Sequence, residues 1–150
     1  MRTRLTFLTV VLAIFMLVTV GCGEQEEELD ISQEEKNEIV AVIERNLEAT
    51  EDEDIDAFSE TMYQNHPDFE IAVEETKQLF EQFDLEYELE ILDVSLADEE
   101  TATVEFEQET RAENGEDFED NTATGVHEVR IEDGQWKIYE TEITDSQPLE

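Results

Sequence analysis

The chain has 150 residues, of which 44 are acidic and eight are basic, and its formal net charge at pH 7 is −36. Charge of this sign is repelled by nucleic acid and by anionic membrane surfaces, which excludes both as binding partners of the folded part. One cysteine excludes a disulfide within a single chain, and two histidines provide no zinc-binding spacing.

Residues 1–21 have the pattern of an export signal. Arg2 and Arg4 form a short basic start, an apolar run follows, and Gly21 precedes Cys22, after which the sequence turns acidic. The end of this segment resembles the bacterial lipoprotein signal, in which the cysteine is lipidated, for example with palmitate, and becomes the mature N-terminus. We therefore predict a lipoprotein signal peptide and lipidation of Cys22. An uncleaved anchor and a secreted protein with a free thiol are the alternatives.

Residues 22–150 carry all 44 acidic residues and six basic ones, a formal net charge of −38. Residues 22–31 lack periodicity and are predicted to be an acidic, flexible tether. Beyond them the apolar residues are periodic, which argues against disorder. Because salt screens self-repulsion, one hypothesis is that the protein is adapted to a saline medium outside the cell. The alternative is that the acidic surface serves a cationic partner.

Three helices are predicted over the first part of residues 32–144. The first, over 32–49, begins with a serine capping box and has apolar residues at helical spacing. The second is predicted over 50–64 and ends before Pro67, because the residue before a proline avoids helical backbone angles. The third, over 68–83, carries an aromatic-rich stripe and is expected to lie across the sheet.

Four strands are predicted over residues 84–144. In the first strand apolar residues alternate with glutamates until the parity slips near Ile91-Leu92, which indicates a bulge. Asn114-Gly115 and Asp133-Gly134 are hairpin signals on either side of the third strand. Residues 145–150 are predicted to be a polar tail. Helices and strands are segregated along the chain, which predicts an α+β domain with three N-terminal helices packed on a curved, four-stranded antiparallel sheet.

Several short pieces of this sequence follow one another in a characteristic order. They are residues 79–89, Ala102-Thr103-Val104, Phe118-Glu119-Asp120-Asn121, His127 and the closing Asp133-Gly134-Gln135-Trp136-Lys137-Ile138. Together they resemble the nuclear transport factor 2-like superfamily, also called SnoaL-like, over residues 32–144. The resemblance implies a cone-shaped domain with a pocket between the sheet and the long helix. Some relatives are isomerases, cyclases or dehydratases, others are binding modules, and dimers are common, so the fold alone does not decide function.

The candidate site residues are polar or aromatic residues on the side of the elements that should face this pocket. His127 shares its parity with Val129, and a histidine suits acid–base chemistry, although a core histidine would show the same pattern. Tyr87 could present a hydroxyl group, and Tyr63 and His66 stand at a loop near the expected pocket opening. The predicted pocket lining is Tyr63, His66, Phe80, Phe83, Tyr87, Gln108 and His127.

The catalytic set of the enzymatic relatives does not map onto this chain, and no cofactor or metal site is predicted. We expect a lipoprotein anchored in the cell membrane and facing the extracytoplasmic side. Its domain is expected to bind a small apolar ligand or a protein partner without catalysis, and the resemblance implies a homodimer. The alternative is an isomerase, cyclase or dehydratase with His127 and Tyr87 as its acid–base pair. A third hypothesis is a structural acidic coat protein.

Overall fold

The structure, a computed structural model, describes residues 29–113 and 118–149. Its elements are α1 Gln33–Glu51, α2 Ile55–Thr61, α3 Phe69–Gln82, β1 Leu85–Asp98, β2 Thr101–Ala112, β3 Asn121–Glu132 and β4 Gln135–Pro148. The strands form one antiparallel sheet in the order β1-β2-β3-β4. The predicted α+β architecture of three helices and four antiparallel strands is therefore confirmed. The predicted signal peptide, Cys22, tether residues 22–28 and the Asn114-Gly115 turn lie outside the described residues.

The helix that covers the sheet is α1. Ser32 caps it, since the Ser32 Oγ accepts a hydrogen bond of 3.1 Å from the backbone N–H of Glu35. One aliphatic face of α1 then packs on β1 and β4. The buried cluster comprises Ile39, Val42, Ile43, Val94, Ala102, Val104, Val129, Trp136 and Ile138. Each fully buried aliphatic side chain contributes about 1.5–3 kcal/mol to stability. The contact between α1 and the sheet therefore provides most of the stabilising burial.

The prediction that the third helix lies across the sheet is wrong. No residue of α3 is buried, and Ile71 is 56% exposed. The reason lies in the spacing of apolar residues: five consecutive polar residues, 74–78, interrupt the apolar stripe of α3. In α1 the stripe continues without such a gap, so α1 is the helix that can bury a full face against the sheet.

The second helix is shorter than predicted. Asp54 caps it, because its Oδ1 accepts hydrogen bonds of 3.1 and 3.0 Å from two following backbone amides. Glu53 has a positive φ of 53°, which separates α1 from α2. At the other end Met62 leaves the helix and forms a parallel β-bridge with Ile138. Pairing with the edge of the sheet therefore competes with further helix.

The structure confirms two predicted features of the strands, the bulge in β1 and the second hairpin turn. The register of β1 against β2 shifts between Ile91 and Asp93, which confirms the predicted bulge. Asp133 and Gly134 have φ angles of 52° and 78°, as a two-residue hairpin turn with positive φ at both positions requires. The inward parity predicted for β2 and β3 is also confirmed, since Ala102, Val104, Phe106, Ala123, Gly125, His127 and Val129 are all buried.

The two ends of the domain extend beyond the predicted limits. Residues 145–150 do not begin as a free tail, because β4 continues to Pro148 and pairs with the start of β3. Backbone pairing explains this, since a polar strand on a sheet edge still satisfies its amides. Before α1, Leu29 forms a β-bridge with Leu96, and Ile31 packs against the core. The end of the acidic segment is thus attached to the sheet.

Candidate functional site

His127 lies on the inner face of β3, as its parity predicted, and its ring is enclosed by neighbouring side chains. The ring stacks on Phe106, with centroids 4.3 Å apart and an interplanar angle of 17°. Its Nδ1 is 2.8 Å from the Thr141 Oγ1, within hydrogen-bond distance. Burial lowers the pKa of His127 to about 4. The imidazole is therefore neutral at neutral pH. It packs against Phe106 and has the Thr141 hydroxyl as its hydrogen-bond partner.

Tyr87 and Gln108 also face inward, but they lie towards the other end of the strands. Burial, followed by the charge of Glu51, raises the pKa of Tyr87 to about 12. The backbone N–H of Tyr87 donates to the Glu51 carboxylate at 3.3 Å, and the Gln108 side-chain amide donates to the Thr110 hydroxyl at 3.3 Å. A cavity of about 250 Å³ beside Tyr87 is lined by Glu51, Glu86, Tyr87, Glu88 and Arg111. Its rim is mainly acidic and not the predicted apolar pocket.

The strand register separates the proposed acid–base pair. Tyr87 on β1 is opposite Thr110 on β2, whereas His127 on β3 is opposite Val104. The two positions on β2 are six residues apart, which corresponds to about 20 Å along the strand. General acid–base partners must lie within hydrogen-bond reach. Tyr87 and His127 are therefore not an acid–base pair, and this part of the enzymatic alternative is wrong.

Tyr63 and His66 are found on the opposite face of the sheet. The backbone N–H of Tyr63 donates to the Ile138 carbonyl at 2.8 Å, so this segment follows the free edge of β4. Both rings contact Tyr139 edge-to-face, at centroid distances of 5.3 Å for Tyr63 and 4.6 Å for His66. The Arg130 guanidinium lies 3.4 Å from the centroid of the same tyrosine ring. Tyr139 and Arg130 alternate with the buried residues Ile138 and Val129, which places this cluster on the outer face.

Glu132 attaches the same segment to the sheet. Its carboxylate accepts hydrogen bonds from the backbone amides of Gln64 and Asn65, both at 3.0 Å, and from the Asn65 side chain at 2.5 Å. Partial burial acts to raise the pKa of Glu132, but these hydrogen bonds outweigh it and lower the pKa below its usual value. The contacts of Tyr63 and His66 thus hold a loop on the sheet edge.

The two phenylalanines predicted to line the pocket, Phe80 and Phe83, lie in a third region of the structure. The Phe83 and Phe118 rings meet edge-to-face, with centroids 5.4 Å apart. Phe80 is half-buried on the same helix. The seven residues predicted to line one pocket are thus divided between the inner face of the sheet, its outer face, and α3 with its C-cap residue Phe83. In the parts of the chain that the structure covers, no three His, Cys, Asp or Glu side chains are placed to hold a metal ion.

A groove that the sequence did not predict lies where α1, α2 and the start of β4 meet. This cavity, here called the seam groove, has a volume of about 370 Å³. It is lined by Arg45, Glu48, Ala49, Asp52, Asp54, Ala57, Glu60, Thr61, Gln135 and Lys137. Two of the six basic residues of residues 22–150, Arg45 and Lys137, line this groove together with four carboxylates. The sequence shows that basic residues are scarce. It does not show that Arg45 and Lys137 line one groove, because this depends on how α1 packs against β4.

The walls of the seam groove are held by internal hydrogen bonds. Thr61 is buried, donates its hydroxyl to the Phe58 carbonyl at 2.7 Å and accepts from the Asn46 amide at 2.7 Å. Lys137 Nζ donates to the backbone carbonyl of Glu60 at 2.5 Å, which ties β4 to α2. The groove is therefore formed by elements that are fixed to one another before any ligand arrives.

A neighbouring cavity of about 310 Å³ continues the seam groove along α1. It is lined by Glu38, Ala41, Arg45, Gly134, Gln135 and Trp136. Arg45 and Gln135 line both cavities and so stand at their junction. Arg45 therefore borders both cavities, and the second cavity adds space next to the predominantly charged seam groove.

Comparison with known families and sequences gives one family. The family model described as the C-terminal domain of the anti-sigma-I factor RsgI9 matches residues 41–149. No curated protein matches the chain. Within residues 29–113 and 118–149, no helix is long and apolar enough to cross a membrane.

Comparison with solved structures identifies the fold. A nuclear transport factor 2-like protein of unknown function from Shewanella oneidensis has a TM-score of 0.64 and 16% identity, covering 73% of this chain and 98% of its own. A ketosteroid isomerase-like protein from Erwinia carotovora atroseptica has a TM-score of 0.63 and 19% identity, covering 76% and 99%. A cystatin-like-fold protein of unknown function from Nostoc punctiforme has a TM-score of 0.64 and 15% identity, covering 77% and 93%. The fold is therefore nuclear transport factor 2-like, as the resemblance implied.

Proposed function

This chain belongs to the family of the anti-sigma-I factor RsgI9 C-terminal domain, and from that premise we propose that it is a binding module anchored on the outer side of the cell membrane. The family takes its name from a regulator of a sigma factor, and regulators act by recognising other molecules. The module recognises a small ligand or a protein partner and performs no chemistry on it.

The observation that carries the non-catalytic role is the separation of the two groups best suited to acid–base work. His127 is a neutral ring stacked on Phe106 and bonded to Thr141, while Tyr87 lies at the other end of the strands. Burial moves both pKa values away from neutrality, so neither group exchanges a proton readily near pH 7. One protein of similar fold is named ketosteroid isomerase-like, but a shared fold does not imply a shared activity.

The membrane anchor is supported by the order of features at the N-terminus. A basic start, an apolar run and the pair Gly21-Cys22 precede an acidic segment. Acyl chains on Cys22 would hold the protein at the membrane, since each buried methylene contributes about 0.8 kcal/mol. Residues 22–28 would act as the tether between this anchor and the domain, because Leu29 and Ile31 are already attached to the sheet and core.

Adaptation to a saline medium is the proposed reason for the acidity. Glu88 and Glu109 face each other across β1 and β2 but both pair with Arg111, whereas Glu90 directly faces Glu107. Like charges in these cross-strand positions are destabilising. Dissolved salt screens such pairs, with a Debye length of about 3 Å at 1 M. The arrangement is therefore least costly in concentrated salt.

The anchor and the binding role can be tested in one set of strains. A strain lacking the chain is complemented with the wild type, Cys22→Ala or His127→Gln, and transcript profiles and membrane fractions are compared. We expect the wild type and His127→Gln to restore the profile, because recognition needs no reaction at His127. The wild type should take up labelled palmitate and Cys22→Ala should not, because the substitution removes the acylated thiol.

Two results would contradict the proposal. If the wild type takes up no labelled palmitate but stays in the membrane fraction, the anchor is an uncleaved apolar segment and not a lipid. If a folded His127→Gln variant, verified by circular dichroism, fails to restore the profile, the histidine takes part in chemistry.

A further inference from the structure

We propose that the seam groove binds a small zwitterion, with the carboxylate of the ligand on Arg45 and Lys137 and its ammonium group towards the acidic rim. This inference rests on the proposed binding role and names the chemical class of the ligand. Both charges of such a ligand, a few ångströms apart, find a partner of opposite sign in one cavity of about 370 Å³.

The basic side of the groove has unused hydrogen-bonding capacity. The only hydrogen bond of the Arg45 side chain within the described ranges is from Nε to the Ala41 carbonyl, at 3.2 Å. Lys137 donates to a backbone carbonyl and not to a carboxylate. By contrast, Arg111 and Arg130 are each paired with a glutamate. Arg45 lines the cavity, and a guanidinium can hold a planar carboxylate by two parallel hydrogen bonds.

The acidic side supplies the complementary sites. Glu48 and Asp52 line the groove from the last turn of α1 and its end, and Glu60 lines it from α2. Asp54 already uses one carboxylate oxygen to cap α2, so it is held in place. An ammonium group carries three donors. Several carboxylates at the rim of one cavity can accept them.

The net charge of the domain selects against ligands of a single charge. At a formal −38 for residues 22–150, a free anion is repelled before it reaches Arg45. A simple cation is attracted to the domain, but in this groove it meets Arg45 and Lys137. A zwitterion has no net charge to be repelled and satisfies both sides. The adjoining cavity beside Trp136 gives room for its apolar part.

The test is a binding titration of the purified full chain in detergent micelles, followed by amide chemical shifts. The probes are L-alanine and glycine as zwitterions, and acetate and methylammonium as singly charged controls at equal ionic strength. We expect saturable shifts at Ala57, Thr61 and Gln135 with a zwitterion only. Arg45→Gln should weaken binding about tenfold or more, the amount expected for losing a charge-assisted contact.

Arg111→Gln is the matched control, because it removes one arginine charge at a site outside the seam groove and should leave the affinity unchanged. Equal shifts with acetate, shifts with methylammonium alone, or no saturable shift with either zwitterion would each overturn the proposal. So would equal weakening by the two arginine variants, which would indicate a general charge effect. Any of these results leaves the Cys22 and His127 complementation outcomes intact, so failure here is distinguishable from failure of the binding module.

Discussion

The half of the sheet under α1 and the half beyond Phe106 are built on different principles. Under α1, aliphatic side chains from both layers are almost completely buried, and Ile39, Val104 and Val129 have no exposed surface. Beyond Phe106, α3 contributes no buried residue, and residues 140–148 of β4 are exposed throughout. The half under α1 is the covered half of the sheet, and the half beyond Phe106 is the open half.

The difference teaches where polar residues are tolerated in this sheet. In the covered half the inward positions are apolar except His127, which lies opposite Val104 and is within hydrogen-bond distance of Thr141. In the open half the Gln108 side-chain amide donates to the hydroxyl of the buried Thr110. A buried polar group without a partner costs free energy. Stability therefore comes from the covered half, while the open half is held by specific pairs.

The largest expected effect compares the same substitution on two helices. Ile39→Ala in α1 removes a fully buried side chain and should lower the free energy of unfolding by about 2–5 kcal/mol. Ile71→Ala in α3, where the side chain is 56% exposed, should change it by less than about 0.5 kcal/mol. Urea unfolding measures both values. Equal losses would show that α3 packs on the sheet as firmly as α1.

The second prediction concerns pH and His127. Its folded pKa of about 4 lies below the unfolded value, so only the unfolded state binds the proton as the pH falls below about 6.5. The stabilising contribution is complete above that pH and is lost as the pH falls towards 4, to a maximum of about 3 kcal/mol.

Unfolding free energies at several pH values in this window, for the wild type and His127→Gln, isolate this contribution from that of the carboxylates. The His66→Gln variant is the control, since it retains His127 and with it the loss. If wild type and His127→Gln show the same pH dependence, the histidine is not desolvated in the folded state.

The third prediction concerns Gly125, between the two halves. A Cβ at this position would stand 2.5 Å from the Glu142 carbonyl oxygen and 2.8 Å from the Phe106 ring. Because one of these atoms belongs to the backbone, Gly125→Ala should cost about 1–3 kcal/mol. Gly134→Ala cannot serve as a control for steric overlap, because Gly134 has a φ of 78° and a side chain there is strained for another reason. The comparison is Ala123→Gly, which lies on the same strand. A Gly125→Ala variant as stable as the wild type would show that β4 can move away from β3.

The smallest expected effect lies on the outer face and tests salt adaptation. Glu90→Lys replaces a repulsive cross-strand pair with Glu107 by an attractive one, and should stabilise the fold by about 0.2–1 kcal/mol at low salt. Molar salt should remove the gain. Glu99→Lys in the β1–β2 turn changes the net charge equally and should gain less. A gain that persists at molar salt would contradict the proposed adaptation.

The sequence predicted local features well and long-range packing poorly. The cap at Ser32, the bulge at Ile91, the Asp133-Gly134 turn and the inward parity of β2 and β3 all depend on neighbours within a few residues, and all are confirmed. The choice of covering helix was wrong because an aromatic-rich stripe was weighted above a continuous aliphatic one. The length of β4 was missed because edge pairing leaves little mark on composition.

Of the candidate site, the sequence determined which residues face inward but not which of them meet. His127 and Tyr87 share a face because side chains alternate along every strand. The pairing of β1 with β2 and of β2 with β3 places them six residues apart along β2, since Tyr87 is opposite Thr110 and His127 is opposite Val104. The seam groove depends on tertiary structure alone, because Arg45 and Lys137 are brought together only when α1 packs across β4. Alternation and capping are properties of a local stretch of chain, whereas convergence of distant charges is a property of how the layers pack.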